Sequence, residues 1–164
     1  SIVPPRLLAA GVVAAALPDL DVLTFGLGIP YSAPLGHRGL THSACTAALL
    51  ALVGALAHRA LDASFARAFA FLFVATASHG VLDAFTNGGI GVALLWPLSD
   101  QRYFAPDALR VIEVSPIGLS RFLTARGLTV LESELRWIWL PALGLGLALA
   151  AARRARDVRR SPPR

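Results

Sequence analysis

Residues 41–57 read THSACTAALLALVGALA: Thr41, His42 and Ser43 stand at the mouth of a stretch that is almost uniformly apolar from Ala44 to Ala57. An ionisable ring at the end of such a run is how a membrane span carries a functional group to its edge, because the same ring in mid-bilayer costs several kcal/mol. We read this as one span, starting near Leu40 and ending at His58 and Arg59. His58 beside Arg59 is a bystander.

Upstream, Leu7 to Leu17 is apolar but short, since crossing a hydrocarbon core of about 30 Å takes roughly 20 residues. The run is expected to stop at Pro18, where Asp19 and Asp21 follow, or to extend or act as a half-helix. A Gly- and Pro-rich loop, Phe25 to Gly39, leads back to His42 and contains His37 and Arg38. Downstream, Ala66 to Val81 reads as the next span, with Ser78, His79 and Asp83 near its far end and a stop around Asn87-Gly88-Gly89. Ile90 to Leu95 is too short to cross and reads as re-entrant or interfacial. Trp96 to Glu134 is a mixed outer loop with one short helix over Pro116 to Arg126. Leu135 to Ala152 is the last span, entered by Trp137 and Trp139 as an aromatic belt.

The composition agrees. A chain of 164 residues that is 55% hydrophobic and 15% charged suits one domain dissolved in a bilayer rather than in water. The fold class is therefore all-α, a polytopic helical bundle of about four spans. Residues 1–152 form one integral-membrane domain and 153–164 a basic cytoplasmic tail. Six of the fifteen positive charges, all Arg, lie in that tail directly after an apolar run, so the net charge of +5 reads as a juxtamembrane anchor and not as a nucleic-acid footprint. The single Cys45 allows neither an internal disulfide nor a cysteine metal knuckle. The chain begins at Ser1 without a recognisable leader and is expected to lack its natural start. Arg6, Arg59, Arg67 and the tail outnumber Arg38, Arg102, Arg110, Arg121, Arg126 and Arg136. Both termini are therefore assigned to the cytoplasm, with Asp19, Asp21, His37, His42, His79 and Asp83 at the outer face.

Those six positions hold three of the four His and three of the ten acids. His79 and Asp83, at i and i+4, leave one helix face together. His37 and His42 can converge from a second element, Asp19 and Asp21 from a third. Imidazole with carboxylate suits zinc, with manganese and iron as alternatives, better than calcium. Such a centre with an open position can activate water for hydrolysis. Each piece has a plainer reading: Asp19 as a turn or capping carboxylate, His42 with Thr41 and Ser43 as hydrogen-bonding groups at a helix start, His79 and Asp83 as a structural ion pair. Asp21 and Asp83 are equal candidates for the general base. Arg38, Thr41, Ser43, Thr86 and Asn87 are candidate substrate contacts. Arg38 suits a phosphate clamp or a lipid headgroup contact. Trp96 to Tyr103 reads as a lid or as an interfacial aromatic anchor.

The segments Leu17-Pro18-Asp19-Leu20-Asp21, Gly36 to Ser43 and His79 to Gly88, in that order, resemble the YdjM-like family of inner-membrane proteins, as do Trp96 to Asp100 and Val114 to Gly118. That family is classed with the metal-dependent hydrolases, and some members are labelled LexA-binding. The resemblance implies a helical membrane protein distantly related to zinc-dependent phospholipase C, whose ligands include a His-x-x-x-Asp pair like His79 and Asp83. Relatives commonly begin with a further helix carrying Thr-His, which this chain lacks, so one ligand and part of a span are expected to be absent. The function expected is a hydrolase of an ester or phosphoester, with a membrane lipid as partner and substrate. The rival readings are a metal-stabilised scaffold or regulatory protein, and a metal or proton transporter. Oligomeric state is not legible.

Overall fold

The computed structural model describes residues 3–160, with side chains excepted at Leu119 and 157–160; Ser1, Ile2 and the last tail positions, 161–164, lie outside the described residues. Two compact units divide the chain, Ser1–Arg110 and Val111–Arg164. The described residues form helices and loops, with an isolated bridge between Val92 and Tyr103.

In the first unit, α1 (Pro5–Ala16) does not end the first span at Pro18. The chain continues as a 3₁₀ helix, Leu17–Leu27, closed by Gly28 at φ 73°, whose N–H returns to Phe25 and Thr24. Of the alternatives open at Pro18, the helical run extends. Proline at the start of a new helical segment gives up an N–H that the change of hydrogen-bonding pattern leaves over anyway. The 3₁₀ rise of about 2.0 Å per residue against about 1.5 Å makes the segment longer. Pro5–Leu27 is then apolar and long enough to cross.

Helix α2 (Ala44–Leu56) is capped by Ser43, whose hydroxyl accepts from Thr46 N–H at 3.1 Å, while Ala44 N–H donates to Leu94 at 3.0 Å. At 13 residues it reaches about 20 Å, short of a full core. Helix α3 (Phe65–Ala84) is capped by Ser64 and is long enough to cross. Its buried residues, Ala68, Leu72, Thr76, Gly80 and Ala84, recur every four positions, as do Ala47, Ala51 and Ala55 on α2. Small residues at this spacing let helix backbones approach closely. A Cβ on Gly54 would lie 2.6 Å from Leu72 Cδ1, and one on Gly11 of α1 would collide with Phe71. Thr76 satisfies its hydroxyl on Leu72 O.

The large side chains point outward: Val12, Val13, Leu49, Val53, Leu56 and Val74 are all exposed. A water-soluble protein inverts this arrangement, burying its large apolar groups. The lipid chains of a bilayer accept them.

Residues after α3 fold back over the same end of the bundle. Val92 and Tyr103 exchange backbone bonds of 3.0 and 2.9 Å, Ala93 N–H reaches Arg38 O, and Ala105 N–H reaches Ala84 O. The apolar stretch Ile90 to Leu95 is thus non-helical, with Val92 and Ala93 buried against the loop that carries the histidines.

In the second unit, α4 (Leu119–Phe122) is a single turn, and α5 (Ala125–Glu134) runs through a π-helical turn, Leu135–Trp139, into α6 (Leu140–Arg160). The short helix expected over Pro116 to Arg126 is broken at Thr124, which is extended at φ −120°. The helix that carries the last span starts ten residues before the expected Leu135: Ala125–Arg156 runs on without a break and is long and apolar enough to cross. Pro141 does not break it, because the π turn just before relaxes the ladder where proline lacks its donor. Arg126 pairs with Glu113 at 2.7 Å and Ser133 accepts from Glu113 N–H at 2.8 Å, fixing the first segment of this unit on α5.

Candidate metal centre

Four elements of the first unit meet at one point: the 3₁₀ helix carrying Asp19 and Asp21, the loop with His37 and Arg38, the single 3₁₀ turn Leu40–His42, and the last turns of α3 with His79 and Asp83. Gly80 makes the meeting possible. A Cβ there would run into the carbonyl oxygen of His42, so glycine lets α3 lie directly against the histidine turn.

All six ionisable residues singled out by sequence come together, but in two sets that share His42. In the first, His42 Nε2 lies 3.6 Å from Asp19 Oδ1 and 3.2 Å from Asp83 Oδ2, while His79 Nε2 lies 3.2 Å from Asp19 Oδ1 and 3.8 Å from Asp83 Oδ2. An ion with four bonds of about 2.0–2.2 Å would set tetrahedral neighbours about 3.3–3.6 Å apart, so this cup has the right size. His42 Nε2 and Asp83 Oδ2 are buried and, despite their proximity, are not aligned as donor and acceptor; neither has a hydrogen-bond partner. Two buried polar atoms left over and facing one point are what a cation would satisfy.

The second set is built differently. His37 Nδ1 is 2.6 Å from Asp21 Oδ1, a hydrogen-bond distance too short for two ligands of one ion. Asp21 Oδ2 accepts from Thr41 Oγ1 at 2.6 Å and from Arg38 N–H at 3.2 Å. Thr41 Oγ1 and Asp21 Oδ2 in turn face His42 Nδ1 at 3.0 and 3.2 Å. With Nδ1 donating, the neutral ring presents its Nε2 lone pair to the cup, the carboxylate–histidine arrangement that supports metal ligands. Tyr31 closes this side, its ring edge-on to His37 at 5.3 Å. Asp21 and His37 thus brace one another and His42, whereas Asp19, His42, His79 and Asp83 form a set of four that could hold a metal ion.

The electrostatics run the same way. Arg38 is the guanidinium that pairs with these carboxylates among the described residues, at 3.1 Å from Asp83 Oδ1. Three carboxylates against one such charge leave room for a divalent ion. Burial opposes a charge on His42, yet its contacts with Asp19, Asp21 and Asp83 outweigh that and push its pKa up to about 10. Without an ion, a proton takes the position.

The candidate site residues are placed as follows. Asp21, expected as a ligand and as one of two candidate bases, has a fully buried side chain with both oxygens engaged. Arg38, expected as a phosphate or headgroup contact, is turned inward. Its side chain is 4% exposed and its Nη atoms are bonded to Asp83, Thr86 and Gly88. Ser43 caps α2, and Thr86 accepts from Arg38 while donating to Asp83 O at 2.7 Å. Thr41 supports Asp21, and Asn87 follows Thr86 in the turn after α3. Asp19, with a side chain 55% exposed, is the open edge of the cup.

Sequence reasoning passed over Arg102 except as part of a lid. Its guanidinium instead gathers the carbonyls of Tyr31, Ala33, His37 and Arg38 at 3.2–3.3 Å. No spacing signals this, because the partners lie more than sixty residues away.

A bundle with small residues inside and large ones outside, built around helices long enough to cross, defines a multi-pass helical membrane protein with a His/Asp cluster able to hold a metal ion. The family model described as YdjM inner membrane protein matches residues 2–157, and the chain belongs to that family. It is 47% identical over 143 residues, 87% of this chain and 82% of the other, to inner membrane protein YbcI of Escherichia coli (strain K12). No solved structure matches it.

Proposed function

We propose that this inner-membrane protein is a metal-dependent hydrolase that cleaves an ester or phosphoester bond of a membrane lipid. The observation that carries the reading is the four-atom cup of Asp19 Oδ1, His42 Nε2, His79 Nε2 and Asp83 Oδ2, with two of its atoms buried and unpartnered. These are the residues that would hold a divalent ion, of which zinc suits the donor set best. When bound, such an ion supplies Lewis acidity and lowers the pKa of water toward neutrality.

The chain's own groups do the rest. Asp21, Thr41 and His37 fix the His42 ring so that Nε2 stays aimed inward. Arg38 engages the outer oxygen of Asp83. Asp19, with its side chain 55% exposed, forms the rim from which water and substrate would enter the cup. The arginine balance favours an opening at the outer face. There a membrane-embedded centre meets headgroup esters without drawing the lipid out of the bilayer.

The test is elemental analysis of detergent-purified protein beside a matched His79→Ala, Asp83→Ala variant, followed by a lipid ester and phosphoester screen. About one equivalent of zinc, manganese or iron in the wild type, lost in the variant together with hydrolysis, is the expected result. A wild type that stays empty after supplementation removes the basis of the proposal. A loaded protein that cleaves none of these lipids removes the substrate class.

A further inference from the structure

Arg38 is buried to 3% exposure with its backbone at φ 61°, in the left-handed region that a residue bearing a Cβ seldom adopts. Its Nε has no hydrogen-bond partner. A strained backbone and an orphaned donor both act against stability, and strain of this kind persists where the surroundings enforce a needed geometry. The enforcement is visible: Arg38 O accepts from Ala93 N–H at 3.0 Å and from Arg102 Nη1 at 3.2 Å.

The turn lets the two ends of one residue hold carboxylates of two different elements. The backbone N–H donates to Asp21 Oδ2 at 3.2 Å, and Nη2 donates to Asp83 Oδ1 at 3.1 Å. Nη1 is fastened in turn to Thr86 Oγ1 at 2.8 Å and Gly88 O at 3.2 Å. Gly89, at φ 86°, brings its backbone so close that a Cβ there would lie 3.0 Å from Nη1. The guanidinium is a planar fork in a fitted slot, a shape lysine cannot reproduce.

We propose that Arg38 is a positioning residue of the metal centre: by occupying Oδ1 of Asp83 it leaves Oδ2 as the single oxygen offered to the ion, and its N–H holds Asp21 behind His42. The proposal rests on the metal reading of the cup. Its consequence is a low coordination number. A carboxylate free to turn can bring both oxygens to an ion and fill a place that water or substrate would need.

The test is cobalt(II) titration of the full chain in detergent, comparing wild type with Arg38→Gln and Arg38→Lys, each checked for elution volume and thermal transition. Visible absorption reports coordination number, four-coordinate cobalt absorbing far more strongly than six-coordinate. Arg38→Gln is expected to bind about 10–100-fold more weakly, the usual effect of losing a partner behind a ligand, with a weaker band. Arg38→Lys, which keeps the charge and loses the fork, is expected to fall between and serves alone if Arg38→Gln does not fold. Unchanged affinity and spectrum in a folded Arg38 variant overturn the proposal while leaving the metal centre standing. A wild type that takes up no cobalt overturns the metal reading, and this inference with it.

Discussion

Gly80→Ala adds one methyl group where α3 lies on the His42 turn, and the added Cβ would overlap the His42 carbonyl oxygen and press on Leu94 Cδ2 at 3.4 Å. Neither the carbonyl, on the backbone of a bonded 3₁₀ turn, nor the helix can swing aside as a flexible side chain can. Restoring ordinary non-bonded contact, about 3.5 Å, requires α3 and the turn to separate by roughly 1 Å. Overpacking of this kind costs about 1–3 kcal/mol in stability. The effect on the centre is larger in proportion, because His79 and Asp83 flank Gly80 and move with it, away from His42. Metal ligands tolerate about 0.2 Å. We expect ion affinity to fall at least tenfold, about 1.4 kcal/mol, while Val81→Ala, at a residue 46% exposed on the same helix, leaves it unchanged. Thermal unfolding in detergent and competitive zinc titration measure the two effects separately. A Gly80→Ala protein that binds zinc as tightly as wild type would show that the close approach does not set the cup.

Uptake of a divalent ion near pH 8 should release about one proton, because His42, raised to about 10 by its carboxylate neighbours, is still protonated there. Ion affinity should rise with pH across this range, and an indicator titration in weak buffer showing no release would contradict it. The same raised pKa gives the ion-free protein a contribution fully present below about 6.5, the free histidine value, and lost as pH rises through about 10. Arg102→Ala should loosen residues 31–38, since its charged bonds to their carbonyls are worth about 1.5–3 kcal/mol each at most and do not add fully; limited proteolysis that finds this loop as resistant as before would refute its bracing role. Val74→Arg, on the outward face of α3, should lower membrane insertion by about 2.5–3.5 kcal/mol. Undiminished membrane yield would mean that this face does not meet lipid.

The helical membrane class and the positions of the polar clusters could be read from the sequence, because both depend on short-range pattern. Apolar runs such as Ala44 to Ala57 announce the solvent, and His79 with Asp83 shares a helix face by spacing alone. Boundaries were less legible where proline intervened. Pro18 looks like a stop, but a local change of helix type absorbs it. The division of labour within the cluster depends on contacts between residues far apart in the chain. Whether Asp21 is ligand, base or support turns on which histidine nitrogen it faces, and whether Arg38 meets substrate or Asp83 turns on a left-handed backbone that no propensity favours. The sequence by itself determined that ionisable groups would sit at the ends of apolar helices, where their desolvation demands partners. Only the tertiary structure decided which atoms those partners are, because a glycine-sized gap between α3 and the His42 turn lets His79 and Asp83 lie against a histidine far away in the chain.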